Sequence, residues 1–180
     1  MVRLVPRSVS ENNFETHDII LGGEQIMDEP IGFFLTWVTY GTWLPGDPRG
    51  WVEYRKGWKL PDPVRELEAA ARMRENACRL SEQQRLAVEQ QITETCRHRG
   101  WQLHAVNCRS NHVHVVVSAA NVASKRVRAT LKAWATRCLT AFDPLRENWW
   151  AEGGSVRWIF NDADLQSATT YTLDAQDGPK

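Results

Sequence analysis

The chain has 180 residues, 42% of them hydrophobic and 24% charged. That composition suits one globular domain with a sizeable core and excludes a disordered or collagen-like chain. No apolar run approaches the roughly 18 residues of a membrane helix, and the N-terminus lacks a basic-then-apolar signal pattern, so the expectation is a cytoplasmic protein without membrane contact.

Net charge is zero, from 22 basic and 22 acidic side chains, but the two signs are segregated. Residues 95–142 carry eight basic side chains (Arg97, Arg99, Arg109, Lys125, Arg126, Arg128, Lys132 and Arg137) and no acidic one. Such a stretch is the electrostatic footprint expected of a polyanion binder, although a solvated helix face would read the same way. Cys78, Cys96, Cys108 and Cys138 never form a Cys-x-x-Cys pair and read as reduced core thiols. A zinc site built from Cys96, His98, His104 and Cys108 lacks tidy ligand spacing.

Residues 1–30 are polar and aperiodic, the pattern of a disordered or loosely attached arm, and Met27 just before the first strong element offers an alternative start. Phe33–Tyr40 is aromatic and β-branched, hence a central strand. Gly41–Gly50 holds three glycines and two prolines and must be a structured loop. Helix formers follow an early proline over 63–79. Ser81 then opens a second helix, with Gln84 placed for a capping box and Gly100 for a stop. Trp101–Cys108 and Asn111–Ser118 read as two strands joined at Arg109–Ser110.

Ser124 is expected to cap a helix over 125–139, with Val127, Leu131, Trp134, Ala135 and Cys138 as its buried stripe. In Ser155–Phe160, Val156, Trp158 and Phe160 alternate on one face of a further strand. Asp162 or Asp164 is expected to cap a last helix running into the 170s. The order predicts an α+β fold: a ferredoxin-like (RRM-like) four-stranded antiparallel sheet with helices on one face, plus a C-terminal Tyr-bearing helix. The expected organisation is an arm over 1–30 and one domain over 31–180.

The chemistry concentrates in Asn111-His112-Val113-His114-Val115. Side chains at i and i+2 of a strand point the same way, so His112 and His114 project together while Val113 and Val115 project oppositely. Paired imidazoles on a rigid strand can ligate a metal, or can simply face solvent. Tyr171 stands on a weakly apolar helix, where its phenol is either a surface group or a covalent nucleophile. Lys125, Arg128 and Lys132 follow i, i+3, i+7 without acidic neighbours and are expected to meet phosphates, with Arg126 and Arg109 beside them. Trp43, Trp51 and Trp58 lie in the loop region, where they can stack on unpaired bases or pack over the sheet edge.

The strand Phe34–Tyr40, the His-hydrophobic-His hairpin, the basic helix and the terminal Tyr helix together resemble the single-tyrosine HUH transposases, of the kind associated with REP elements and insertion sequences. The resemblance covers about residues 31–177. It implies that His112 and His114 hold one divalent cation, Mg²⁺ or Mn²⁺, and that Tyr171 attacks a scissile phosphate of single-stranded or hairpin DNA to give a 5′-phosphotyrosine. It also leaves monomer and homodimer open. Related enzymes often place a third ligand, Gln or Asn, one turn after the tyrosine, where this chain has Ala175. Asp174, about 60° around the helix from Tyr171, is the favoured third ligand, and Gln176, about 140° away, is the alternative. The competing reading is a domesticated or non-catalytic nucleic-acid-binding module on the same fold.

Overall fold

A computed structural model describes residues 29–53 and 56–174. In chain order its elements are β1 (Gly32–Val38), β2 (Trp51–Glu53), β3 (Gly57–Lys59), α1 (Pro63–Ala71), α2 (Glu82–Arg99), β4 (Gln102–Cys108), β5 (His112–Ser118), α3 (Ser124–Thr140), β6 (Ser155–Ile159) and α4 (Asp162–Leu173). Four strands form one antiparallel sheet in the order β4-β5-β1-β6, and β2 pairs only with β3. This is the ferredoxin-like order, with α2 and α3 as the crossover elements. Residues 175–180 and most of the expected arm lie outside the described residues.

Strand parity divides the molecule. Phe33, Leu35 and Trp37 of β1 and Val113, Val115 and Val117 of β5 face α2 and α3, meeting Val88, Ile92, Val127 and Leu131 in the main core. Each fully buried aliphatic side chain there contributes about 1.5–3 kcal/mol of transfer free energy. The opposite face is covered more thinly, where Ala105, Val116 and Ile159 meet Ala168 and Leu165 of α4.

Helix α2 begins and ends where its sequence says it should. Ser81 Oγ accepts from the Gln84 N–H while the Gln84 side chain accepts from the Ser81 N–H. Gly100, at φ +68°, takes the left-handed position that ends the helix, and the Trp101 N–H returns to the Cys96 carbonyl. The cysteines are all free thiols; Cys78, Cys96 and Cys108 are buried, and burial pushes the Cys96 thiol up to about 11.

Several local expectations need correction. The 63–79 stretch is helical only to Ala71, and the chain beyond is held by tertiary bonds such as Cys78 N–H to Tyr40 O. Helix α3 starts at Ser124 itself, after Ala123, without a side-chain cap. Its fully buried stripe is Val127, Leu131, Ala135 and Leu139; Trp134 is exposed beneath the Arg137 guanidinium, and Cys138 is half-buried. Asn161, not Asp162 or Asp164, caps α4 by accepting from the Asp164 N–H at 2.8 Å. On β6, Ile159 is buried and Val156 packs against the main core, whereas Trp158, edge-on to Phe33 at the sheet edge, is exposed, as is Phe160 just beyond the strand.

Candidate functional site

The alternation of β5 sends His112 and His114 to the face beneath α4, opposite the valine core. His114 sits mid-sheet, opposite Thr36 of β1 on one side and Asn107 of β4 on the other. Thr36 Oγ1 lies 2.8 Å from His114 Nδ1, and the Phe34 ring stacks on the imidazole with centroids 5.3 Å apart at 16°. Burial, reinforced by the positive potentials of His112 and Arg109, pulls the His114 pKa down to about 4. The imidazole is therefore neutral at neutral pH, the state a metal ligand requires.

His112 is half-buried, and its ring meets His114 edge-on with centroids 4.8 Å apart. Asn111 Oδ1 accepts from His112 Nδ1 at 2.8 Å, which fixes the proton on Nδ1 and the lone pair on Nε2. The Asn111 carbonyl in turn accepts from the Thr39 N–H at 2.9 Å and the Thr42 hydroxyl at 3.3 Å, tying the hairpin turn to the loop after β1.

Helix α4 brings the tyrosine. Leu165, Ala168 and Thr172 recur at i, i+3 and i+7; Leu165 and Ala168 dock on the sheet, and Thr172 is fully buried. Tyr171 is thereby turned towards the histidines: its ring centroid is 6.0 Å from His114 and 6.0 Å from Phe34, edge-on to both. The residue remains 48% exposed. Near this end of α4, Asn107 Nδ2 donates to the Thr172 carbonyl at 3.0 Å. Phe34, Thr36 and Asn107 have no assigned role in the sequence reading; pairing across the strands is what places them around His114.

The expected third ligand is not gathered in. Among the described residues no group of three His, Cys, Asp or Glu side chains is arranged to hold a metal, so Asp174, the exposed C-cap of α4, does not close a triad with the histidines. Gln176 lies outside the described residues.

The basic stripe is also rearranged. Arg128 is buried and donates to the Gly154 carbonyl; Lys132 Nζ donates to the carbonyls of Ala151 at 2.7 Å and Gly153 at 3.0 Å. Both cations thus bond backbone oxygens of the segment entering β6, on either side of Glu152. Lys125 and Arg126 are exposed, but α3 packs on the sheet face opposite the histidines. Arg109 occupies the hairpin turn, its N–H bonded to the His112 carbonyl at 2.8 Å.

A ferredoxin-like sheet that offers a His-hydrophobic-His pair to a helix-borne tyrosine defines the class of protein that the hairpin motif suggested. A family profile described as Transposase IS200 like matches residues 70–159, half of the chain. The chain belongs to the IS200-like transposase family. Among solved structures, it is similar to a REP-associated tyrosine transposase bound to a REP hairpin, at 14% identity and a TM-score of 0.47, covering 84% of this chain and 70% of that one. It is also similar to a candidate transposase from Deinococcus radiodurans R1, at 14% identity and a TM-score of 0.44, covering 88% of this chain and all of that one. No curated protein sequence matches it.

Proposed function

We infer that this transposase-family chain cleaves and rejoins single-stranded or hairpin DNA through a 5′-phosphotyrosine on Tyr171. One observation carries the reading: Tyr171, from the last helix, and His112 and His114, from β5, converge on one patch of sheet although nearly sixty residues separate them.

Tyr171 Oη attacks the scissile phosphorus. The P–O bond to the 3′-oxygen breaks, the phenolic proton passes to solvent, and the departing strand end takes up a proton as a free 3′-hydroxyl. Attack by a different 3′-hydroxyl reverses the step and joins new DNA, so no external energy source is needed. His112 and His114 fit a divalent cation such as Mg²⁺ or Mn²⁺, because both rings are close and His114 is held neutral. A cation bound there supplies Lewis-acid polarisation of the phosphate. Thr36 and Asn111 fix the two ring orientations through the Nδ1 contacts, as second partners of metal-binding histidines do. Phe34 supports both the His114 and Tyr171 rings, which keeps the nucleophile beside the pair.

The test is incubation of the full chain with single-stranded and hairpin oligonucleotides and Mn²⁺, followed by a denaturing gel. A covalent adduct mapping by peptide mass to Tyr171, and lost in Tyr171→Phe with DNA binding retained, is the expected result. An adduct in the Phe variant, or one mapping to Tyr40, overturns the mechanism.

A further inference from the structure

We propose that Trp43 and Trp58 form a stacking platform for an unpaired base of the DNA strand that enters the histidine–tyrosine site. The proposal rests on the strand-transfer reading above.

The loop after β1 builds this platform rigidly. Trp43 Nε1 donates to the Gly50 carbonyl at 2.8 Å. Gly50 sits at φ +84°, and a Cβ there would collide with the six-membered ring of Trp58, so the absence of a side chain lets that indole lie on the backbone. The two indoles are 6.4 Å apart at 52°. Trp51, between them in sequence, is consumed by the fold: it is buried, bonded to the Leu60 carbonyl and covered by the Arg65 guanidinium at 4.6 Å. Trp43 and Trp58 are instead 37% and 43% exposed. Neither indole is among the side chains packed against the two cores of the main sheet.

Two observations choose the occupant. First, on the β2–β3 hairpin that carries Trp58, Lys56 and Lys59, together with Arg65 of α1, share the single carboxylate of Glu53, at 3.2, 4.0 and 3.3 Å, while the nearby Asp47 carboxylate is already taken by Arg49. Exposed aromatic faces within a cationic rim are what a single strand takes, its bases stacking and its phosphates meeting the cations. Second, the platform is tied to the candidate site. Thr42 bonds to the carbonyl of Asn111, the residue whose side chain holds His112, and Trp43 is the next residue along the chain, one step of about 3.8 Å. The backbone of the platform loop is thereby anchored to the hairpin turn that carries His112. Stacking is tolerant of sequence, so the platform would register that a nucleotide is unpaired, not which base it carries.

The experiment compares the full chain with Trp58→Leu and Trp58→Phe, using a blunt DNA stem-loop and the same stem-loop with single-stranded thymidine tails. Fluorescence anisotropy of the labelled DNA reads affinity. The expected result is binding to the tailed probe weakened about tenfold in Trp58→Leu, largely kept in Trp58→Phe, and unchanged for the blunt probe. Equal affinity of Trp58→Leu and unmodified protein for the tailed probe overturns the platform. In the unmodified chain, tails carrying 5-iodouracil should photocrosslink to peptides containing Trp43 or Trp58; crosslinks confined to other peptides overturn the proposal even where a variant fails to fold. If sedimentation instead finds a dimer that Trp58→Leu dissolves with no change in tail binding, the surface is a protein interface and the proposal fails. A protein that forms the Tyr171 adduct yet gains nothing from a tail refutes the platform alone. One that forms no adduct and binds neither probe refutes the strand-transfer reading as well.

Discussion

Asn107→Ala tests how the helix end that carries Tyr171, the proposed nucleophile, is held. The Thr172 carbonyl belongs to the last turn of α4, where helix geometry leaves carbonyls without an intrahelical donor, and Asn107 Nδ2 supplies one at 3.0 Å. Thr172 is fully buried, so the carbonyl loses its partner without easy access to water. An unsatisfied buried acceptor costs about 1–3 kcal/mol. That corresponds to roughly a 5- to 150-fold fall in the ratio of docked to undocked terminal turn. Because α4 covers its face of the sheet with few apolar side chains, the loss falls on local docking, and the main core is untouched. Hydrogen exchange in the peptide 165–174 should therefore accelerate, and single-turnover adduct formation at Tyr171 should slow, while DNA affinity stays the same. Asn107→Asp, which keeps the shape but turns a carboxylate towards the carbonyl, should be more severe. Unchanged exchange and unchanged adduct rate in both variants would refute the role of Asn107 as a positioning residue.

The two histidines should separate in thermal melts. His114→Ala removes a buried ring bonded to Thr36 and stacked on Phe34, about 1–3 kcal/mol and a drop of several degrees, whereas half-buried His112→Ala should melt close to the unmodified protein; both should lose the adduct. Lys125→Ala and Arg126→Ala should each lower the salt dependence of DNA binding by about one unit if they meet phosphates, while Arg128→Ala should lower the melting temperature instead, since that side chain already serves the Gly154 carbonyl. Lys132 is held down to about 8 from 10.5, by burial first and then by Arg128. The unfolded chain thus binds the extra proton between those values, and stability should rise from pH 8 to 10. Urea titrations should find that rise smaller in Lys132→Met by on the order of 1 kcal/mol after allowance for screening at this partly exposed amine; parallel pH curves would contradict the assignment.

What could be read from sequence follows from which interactions are local. The Ser81 capping box, the Gly100 stop and the shared face of His112 and His114 depend on residues a few positions apart, and each is where the pattern places it. The strand order follows from alternation and crossover lengths. What was not legible depends on partners distant in the chain. Arg128 and Lys132 share a spacing that suits phosphates, but the carbonyls they bond belong to residues 151–154. Trp158 alternates like a core residue, yet edge position leaves it uncovered. The β2–β3 hairpin is only three residues a side and hides among loop residues. Thr36 and Asn107 gain meaning only through their register with His114. Asp174 shares a helical sector with Tyr171 on paper, but the helix ends at Leu173 and the carboxylate is left at its exposed cap.

The parity of β5 makes the molecule sensitive to a kind of mutation that residue-by-residue substitution never samples. Odd positions 113, 115 and 117 supply the main core, and even positions 112 and 114 supply the paired imidazoles of the proposed site. Inserting one residue in the turn at 109–111 and letting β5 slip by one would exchange the two sets, driving imidazoles into the helix layer and valines under Tyr171. An insertion of two would keep the parity and shift the histidines along the sheet, away from Thr36 and Phe34. Length changes near this hairpin are thus filtered by arithmetic: single-residue changes strike folding and activity together, whereas paired ones can leave a folded but inactive protein. Families of this architecture should accept variable lengths in the loop after β1 far more readily than between β4 and β5.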